Sequence, residues 1–234
     1  MAYIDLRDIR KVYRKKSLEI EVLVGLDLQI ESGEFVALMG PSGSGKSTLL
    51  NLIGGLDSPT RGTIRIGDAE LHRMSERELT AWRSRHVGFI FQMYHLLPVL
   101  TAAQNVELPL TLFRMNAKER NDRVKLALSI VDLEDRADHK PAQLSGGEEQ
   151  RVAIARSVVT DPDLLLADEP TGDLDAASAH DILVLLERLN KEFGKTIVMV
   201  THDQHAATHA GRIVHLEKGS LFEHAPAAEA VVTY

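Results

Sequence analysis

The chain has 234 residues, 44% hydrophobic and 26% charged, which suits a soluble globular protein with room for a core and excludes a disordered or fibrous one. Its 34 acidic residues outnumber 27 basic ones, a formal charge of −7 that argues against wrapping a nucleic-acid backbone. It has no cysteine, which excludes a disulfide scaffold, a thiolate metal site and a cysteine nucleophile.

The opening residues, MAYIDLRDIRKVYRKK, carry no apolar run behind their basic residues, so no secretory signal is expected. Residues 26–30 alternate apolar and polar, as in a half-buried strand. After a turn at Glu31-Ser32-Gly33, the run FVALM at 35–39 reads as a strand buried on both faces. A glycine-rich loop follows, then a helix expected over 47–56, an alternating strand at 63–66 and a short apolar strand at 87–91. The most membrane-like window, 93–113, contains His95, Pro98, Gln104, Asn105, Glu107 and Pro109, so it is not a spanning helix. No direct membrane insertion is expected, and any membrane role must come through a partner.

From about 93 to 159 the spacing turns helical. Val124, Leu126, Leu128 and Val131 sit among charges of both signs, the pattern of a solvated helical surface. A helical subdomain inserted into an α/β core fits this change. Beyond 160 the alternation returns. Residues 164–167 read as a buried strand, and Ile182, Leu185, Leu186 and Leu189 mark one helix face. Further strands are expected at 196–200 and 213–216. Strand, helix and strand in succession imply parallel pairing with right-handed crossovers. The last stretch, 225–234, reads as a loosely held tail.

Residues 40–48, GPSGSGKST, form a phosphate-binding loop between an expected strand and an expected helix. Gly43 and Gly45 let backbone N–H groups turn inward around phosphate oxygens, with Ser42, Ser44 and Thr48 in the same loop, and the helix start adds favourable partial charge. Lys46 reaches the β and γ phosphates and the Ser47 hydroxyl can ligate Mg²⁺. The strand LLLADE ends in two carboxylates. Asp168 is placed to fix Mg²⁺, and Glu169, pointing elsewhere, to activate an attacking water. Ser145-Gly146-Gly147 is either a second anion-binding helix start or an N-cap serine before a glycine pair, and spacing alone does not decide.

LSGGE before LLLADEP, after GPSGSGKST, resembles the nucleotide-binding subunit of an ATP-binding cassette (ABC) transporter over nearly the whole chain. The resemblance implies an α/β fold: a P-loop NTPase (RecA-like) core over 1–92 and 160–224 with an antiparallel β subdomain, and an α-helical subdomain over 93–159. It implies a head-to-tail dimer of two copies around two ATP, with Ser145, Gly146 and Gly147 of each copy completing the site of the other. Tyr13 matches the family's adenine-stacking aromatic. Gln92, closing GFIFQ, matches a glutamine that contacts Mg²⁺ and senses the permease. The 171–175 stretch TGDLD matches a loop crossing the dimer interface, with an acid at Asp173 where relatives often differ. His202 matches a switch histidine that orders the γ-phosphate and water, so Glu169, His202 and Gln92 are the expected catalytic group and Ser47, Gln92 and Asp168 the metal group.

Within the family, GFIFQMYHLLPVLTAAQNVELPL is similar to the class of lipoprotein-release, macrolide-export and cell-division ATPases. The expected function is an ATP-hydrolysing subunit driving a separate membrane permease, peripheral on the cytoplasmic face of the cell membrane. The alternative is an ATPase of a signalling or cell-division complex that moves no cargo. DNA-repair relatives separate the phosphate loop from the carboxylate strand by long coiled coils or zinc domains, and ribosome-associated relatives carry two cassettes. Neither pattern is present here. Met93, Tyr94, Leu96 and Leu97, beside Gln92, are expected to form the permease-coupling surface, although a core role would also explain apolar residues there.

Overall fold

The computed structural model describes residues 2–15 and 18–223, so the expected tail at 225–234 lies outside the described residues. In chain order the elements are β1 (Ile4–Lys15), β2 (Leu18–Ile30), β3 (Phe35–Met39), α1 (Lys46–Ile53), β4 (Arg61–Ile66), β5 (Ala69–Glu70), α2 (Glu76–His86) and β6 (Val87–Phe91). Then follow α3 (Ala102–Glu107), α4 (Ala117–Ile130), α5 (Gly146–Val158), β7 (Leu164–Asp168), α6 (Ala176–Lys191), β8 (Thr196–Val200), α7 (Gln204–Ala207), β9 (Arg212–Glu217) and β10 (Ser220–Glu223).

Two sheets form. One is antiparallel, in the order β2-β1-β4-β5, and the other runs β10-β9-β3-β8-β7-β6. In the second, β9, β3, β8, β7 and β6 are parallel, as the strand–helix alternation requires, and only β10 is antiparallel to its neighbour. The period of two along each strand divides the core. Phe35, Ala37 and Met39 of β3 join Leu165, Ala167, Ile197 and Met199 on the face packed by α3 to α6. Val36 and Leu38 join Leu164, Leu166, Val198 and Val200 on the opposite face, against α1 and the antiparallel sheet. Because five strands run the same way, the loops leaving β3, β7, β8 and β6 open along one edge. Gly40, Glu169, His202 and Gln92 follow those four strand ends directly or nearly so, where ligands of open α/β sheets bind.

Three features depart from the sequence reading. Helix α1 starts at Lys46 and stops at Ile53, three residues short of the expected end. Gly54 and Gly55 follow, Gly55 has φ +63°, and a Cβ on Gly54 would come within 2.5 Å of the Phe89 ring. In α4 and its C-cap, Val124, Leu128 and Val131 face the core, but Leu126 is 61% exposed, being half a turn out of phase with Val124 and Leu128. Helix α2 was not legible from apolar periodicity, because Leu79 is its single fully buried residue. Its start carries a capping box between Ser75 and Glu78.

Candidate functional site

The loop from β3 to α1 is shaped by glycines at positive φ. Gly40 has φ +152° and a Cβ there would lie 2.1 Å from the Leu216 carbonyl oxygen, so no other residue fits. Gly45, in the left-handed region, caps α1 without any side-chain bond, leaving the first N–H groups of the helix to whatever enters the loop. Lys46 is buried and its ammonium donates to the Gly40 and Pro41 carbonyls at 2.7 and 3.0 Å, which fixes it in the bend of the loop. Gly40, Ser42, Gly43, Gly45, Lys46, Ser47 and Thr48 line a cavity of about 620 Å³ together with Val22, Glu169 and His202. Ser44 differs from its neighbours. Its side chain is turned inward and its buried Oγ has no hydrogen-bond partner, while its N–H bonds Pro41. Val22, from β2, was not singled out in the sequence.

The two carboxylates at the end of β7 diverge as their positions imply. The Ser47 hydroxyl donates to Asp168 Oδ1 at 3.3 Å. Burial raises the Asp168 pKa above the ordinary carboxylate value, the Ser47 bond opposes that rise, and the charge of Glu169 adds to it. Glu169 has φ +48°, uncommon for a residue with a Cβ. The strain is held by its N–H on the Val200 carbonyl at 2.9 Å and by the Gly172 N–H on its own carbonyl at 3.1 Å. That turn aims the Glu169 carboxylate at His202 Nδ1, 3.0 Å away. Ser47, Gln92, Asp168 and Glu169 line a second cavity of about 290 Å³ beside the first. A hydroxyl, an amide and a carboxylate are the oxygen donors a hard cation such as Mg²⁺ takes, so the donor set fits that ion.

Around this centre the structure adds contacts that no local motif announces. Gln92 donates from Nε2 to Asp173 at 2.9 Å, so the acid in the 171–175 loop holds the glutamine at the end of β6. Gln150, fully buried in α5, donates to the Pro170 and Phe91 carbonyls at 2.5 and 3.3 Å, tying the segments that carry Glu169 and Gln92. Arg156, also in α5, donates to the Tyr94 and His95 carbonyls, both at 2.6 Å. Tyr13 sits at the rim of the loop, 40% exposed. Its hydroxyl donates to Asp57 at 2.8 Å, and the Lys11 ammonium lies 4.8 Å from its ring centroid. Tyr13 does not line the main cavity, so adenine would have to reach out to it.

Ser145-Gly146-Gly147 lies outside that cavity. Ser145 is a true N-cap, its Oγ accepting from the Glu148 N–H at 3.3 Å and its N–H donating to the Glu148 carboxylate at 2.8 Å. A Cβ on Gly146 would lie 3.1 Å from the Tyr94 hydroxyl and one on Gly147 would lie 3.0 Å from the Ser178 hydroxyl, so any side chain there would press on these neighbours. Beyond Gln92 the apolar residues divide. Met93 and Leu97 are 68% and 46% exposed, Tyr94 is half-buried, and Leu96 packs against the core. The backbone there is pinned by fully buried Asn105, which accepts from the Leu97 N–H at 2.7 Å and donates to three carbonyls of the same loop.

The family described as ABC transporter matches residues 23–172. The lipoprotein-releasing system ATP-binding protein LolD of Legionella pneumophila is 48% identical over 212 residues, covering 91% of this chain and 93% of LolD. The macrolide export ATP-binding/permease protein MacB of Rhodopirellula baltica is 48% identical over 223 residues, 94% of this chain but 32% of MacB. The cassette MJ0796 of Methanocaldococcus jannaschii, solved as a dimer in a post-hydrolysis state with ADP and Pi, superposes with a TM-score of 0.85 at 44% identity. That superposition covers 94% of this chain and 98% of the other.

Proposed function

The chain belongs to the ABC transporter family as an ATP-binding ATPase, and from that premise we propose how its residues divide the work. ATP lies with its phosphates against residues 40–48 and its adenine on Tyr13. Lys46 and the loop N–H groups hold the β and γ phosphates. Ser47, Gln92 and Asp168 hold Mg²⁺, which offsets phosphate charge. Glu169 accepts a proton from the attacking water, and His202, bonded to Glu169, orders that water and the γ-phosphate. The observation that carries this reading is the convergence of Lys46, Ser47, Glu169 and His202 on one cavity from three separate strand ends. Glu169→Gln should keep ATP affinity while losing about 10²–10⁴ in turnover, the usual worth of a general base. Parental turnover in that variant would remove Glu169 from the role.

Two copies assemble head to tail, each presenting Ser145, Gly146 and Gly147 to the γ-phosphate held by the other. Two features support this: the glycine helix start lies apart from the cavity of its own chain, and the similar cassette MJ0796 was solved as a dimer. Among the described residues no helix is long and apolar enough to cross a membrane. The likeness to LolD and MacB supports a dimer that works on the cytoplasmic face and drives a separate permease of the lipoprotein-release or macrolide-export kind. Residues 93–159 move as a unit against the core, with Met93 and Leu97 meeting the permease. Leu97→Asp, on an exposed side chain with a pinned backbone, should leave basal hydrolysis intact and abolish permease pull-down. Collapse of basal turnover with permease binding preserved would move the coupling surface elsewhere.

A further inference from the structure

Three of the chain's ten histidines gather outside the set of residues that line the phosphate-loop cavity. His180 stands in α6, His205 in α7, and His209 just beyond α7. Among the described residues they form the single group of three or more His, Asp or Glu side chains dense enough to hold a metal ion, with one nitrogen from each within 4.8 Å of the others. The His209 ring is the hub. It lies 5.9 Å from His180 and 5.6 Å from His205, at interplanar angles of 64° and 66°, so the rings are splayed rather than stacked.

The hub is held in place from behind. His209 Nδ1 lies 2.5 Å from Glu187 Oε1, and the other Glu187 oxygen is bonded by Lys191, also at 2.5 Å. A carboxylate only accepts, so Nδ1 carries the proton and, in the neutral ring, Nε2 keeps its lone pair. A carboxylate behind an imidazole is the outer-shell arrangement that fixes ring and tautomer in metal-ligating histidines. The His209 side chain is 11% exposed, whereas His180 and His205 are exposed and can swing. Tetrahedral Zn²⁺ with Zn–N near 2.0–2.1 Å needs nitrogens about 3.3 Å apart, a closure that rotation of two surface imidazoles supplies.

We propose that His180, His205 and His209 form a binding site for a divalent transition-metal ion of the zinc class, separate from the Mg²⁺ of the nucleotide, with Glu187 as its outer-shell carboxylate. Three imidazoles without a thiolate select Zn²⁺, Cu²⁺ or Ni²⁺ over Mg²⁺ or Ca²⁺, and solvent completes the coordination. The ion would tie α6, which follows the 171–175 loop, to the segment that follows His202. Both segments lead away from groups at the nucleotide edge, so occupancy would stiffen the rear of that edge.

The test uses the full chain, stripped of metal and free of nucleotide, titrated with Zn²⁺ by calorimetry and with Co²⁺ by visible absorption. The site predicts one ion per chain, Co²⁺ bands of a four-coordinate nitrogen-rich centre, and a Zn²⁺-dependent rise in Tm. Glu187→Gln should weaken binding by roughly 10–100-fold. His209→Ala should weaken it further and remove the Tm rise. The pair His180→Ala/His205→Ala, on exposed side chains, should do the same if His209→Ala fails to fold. Absence of stoichiometric binding by the parent chain would overturn the site, as would parental affinity in the double variant.

Discussion

Two helix starts in this chain look alike in sequence, each a serine–glycine stretch before a helix, yet they are finished differently. At α1 the cap is Gly45 in the left-handed region, no side chain satisfies the first N–H groups, and buried Lys46 adds a charge. At α5 the cap is Ser145, its hydroxyl and the Glu148 carboxylate close a capping box, and no lysine follows. The first start is left unfinished and has a carboxylate edge beside it. The second is complete as a helix and keeps Gly146 and Gly147 narrow, so a second body can approach its backbone. On the proposed reading, the first start holds an anion by itself and the second meets an anion that the partner already holds.

The largest expected effect breaks the first start. Lys46→Ala should raise the Kd for ATP by more than about 10²-fold, because charge-assisted bonds are worth about 1.5–3 kcal/mol each and more than one is lost. Nucleotide titration by calorimetry checks it, and unchanged affinity would equate the two starts. A subtler substitution sharpens the second. Ser145→Ala should cost about 1 kcal/mol of stability as a lost N-cap, and Ser145→Gly only a few tenths. Both remove the hydroxyl proposed to meet the partner's phosphate, so ATP-dependent dimerisation should suffer equally in the two while denaturation midpoints differ. If dimerisation tracks the midpoints instead, Ser145 is merely a cap.

The smallest effect serves as a control in neither start. Asp5 in β1 is buried and bonded by Arg7, Gln29 and Arg65, and the Arg7 guanidinium above all holds its pKa down to about 2, from an ordinary 3.8. With the folded value below the unfolded one, the unfolded chain binds more protons in that window. The contribution is therefore present above about pH 4 and is lost as pH falls through about 2. Asp5→Asn should flatten the acid limb of a stability-versus-pH curve and leave ATP affinity unchanged.

The parts of this site that were legible beforehand are those whose chemistry is written in adjacent residues. GPSGSGKST declares its loop because a phosphate cradle needs glycines, a lysine and a hydroxyl within one turn, and LLLADE declares its strand end by the change from apolar to acidic. The contacts that hold the pieces in register were not legible. Gln150 reaches Pro170 and Phe91, Asp173 reaches Gln92, and Tyr13 finds Asp57, all by pairing residues distant in sequence. Helix α2 was missed because its polar face dominates, although Ser75 and Glu78 marked its start. The Phe89 ring that leaves no room for a Cβ at Gly54 is likewise a contact no local pattern reveals.

Whether the second helix start works on the partner's nucleotide is decided most directly by mass in solution. Glu169→Gln, which should bind ATP without consuming it, is measured by light scattering with and without saturating ATP, alone and combined with Ser145→Arg. A shared site predicts that Glu169→Gln doubles its mass in ATP, and that adding Ser145→Arg abolishes the doubling while ATP binding per chain is retained. A monomer at saturating ATP, or a dimer that survives Ser145→Arg, would contradict it.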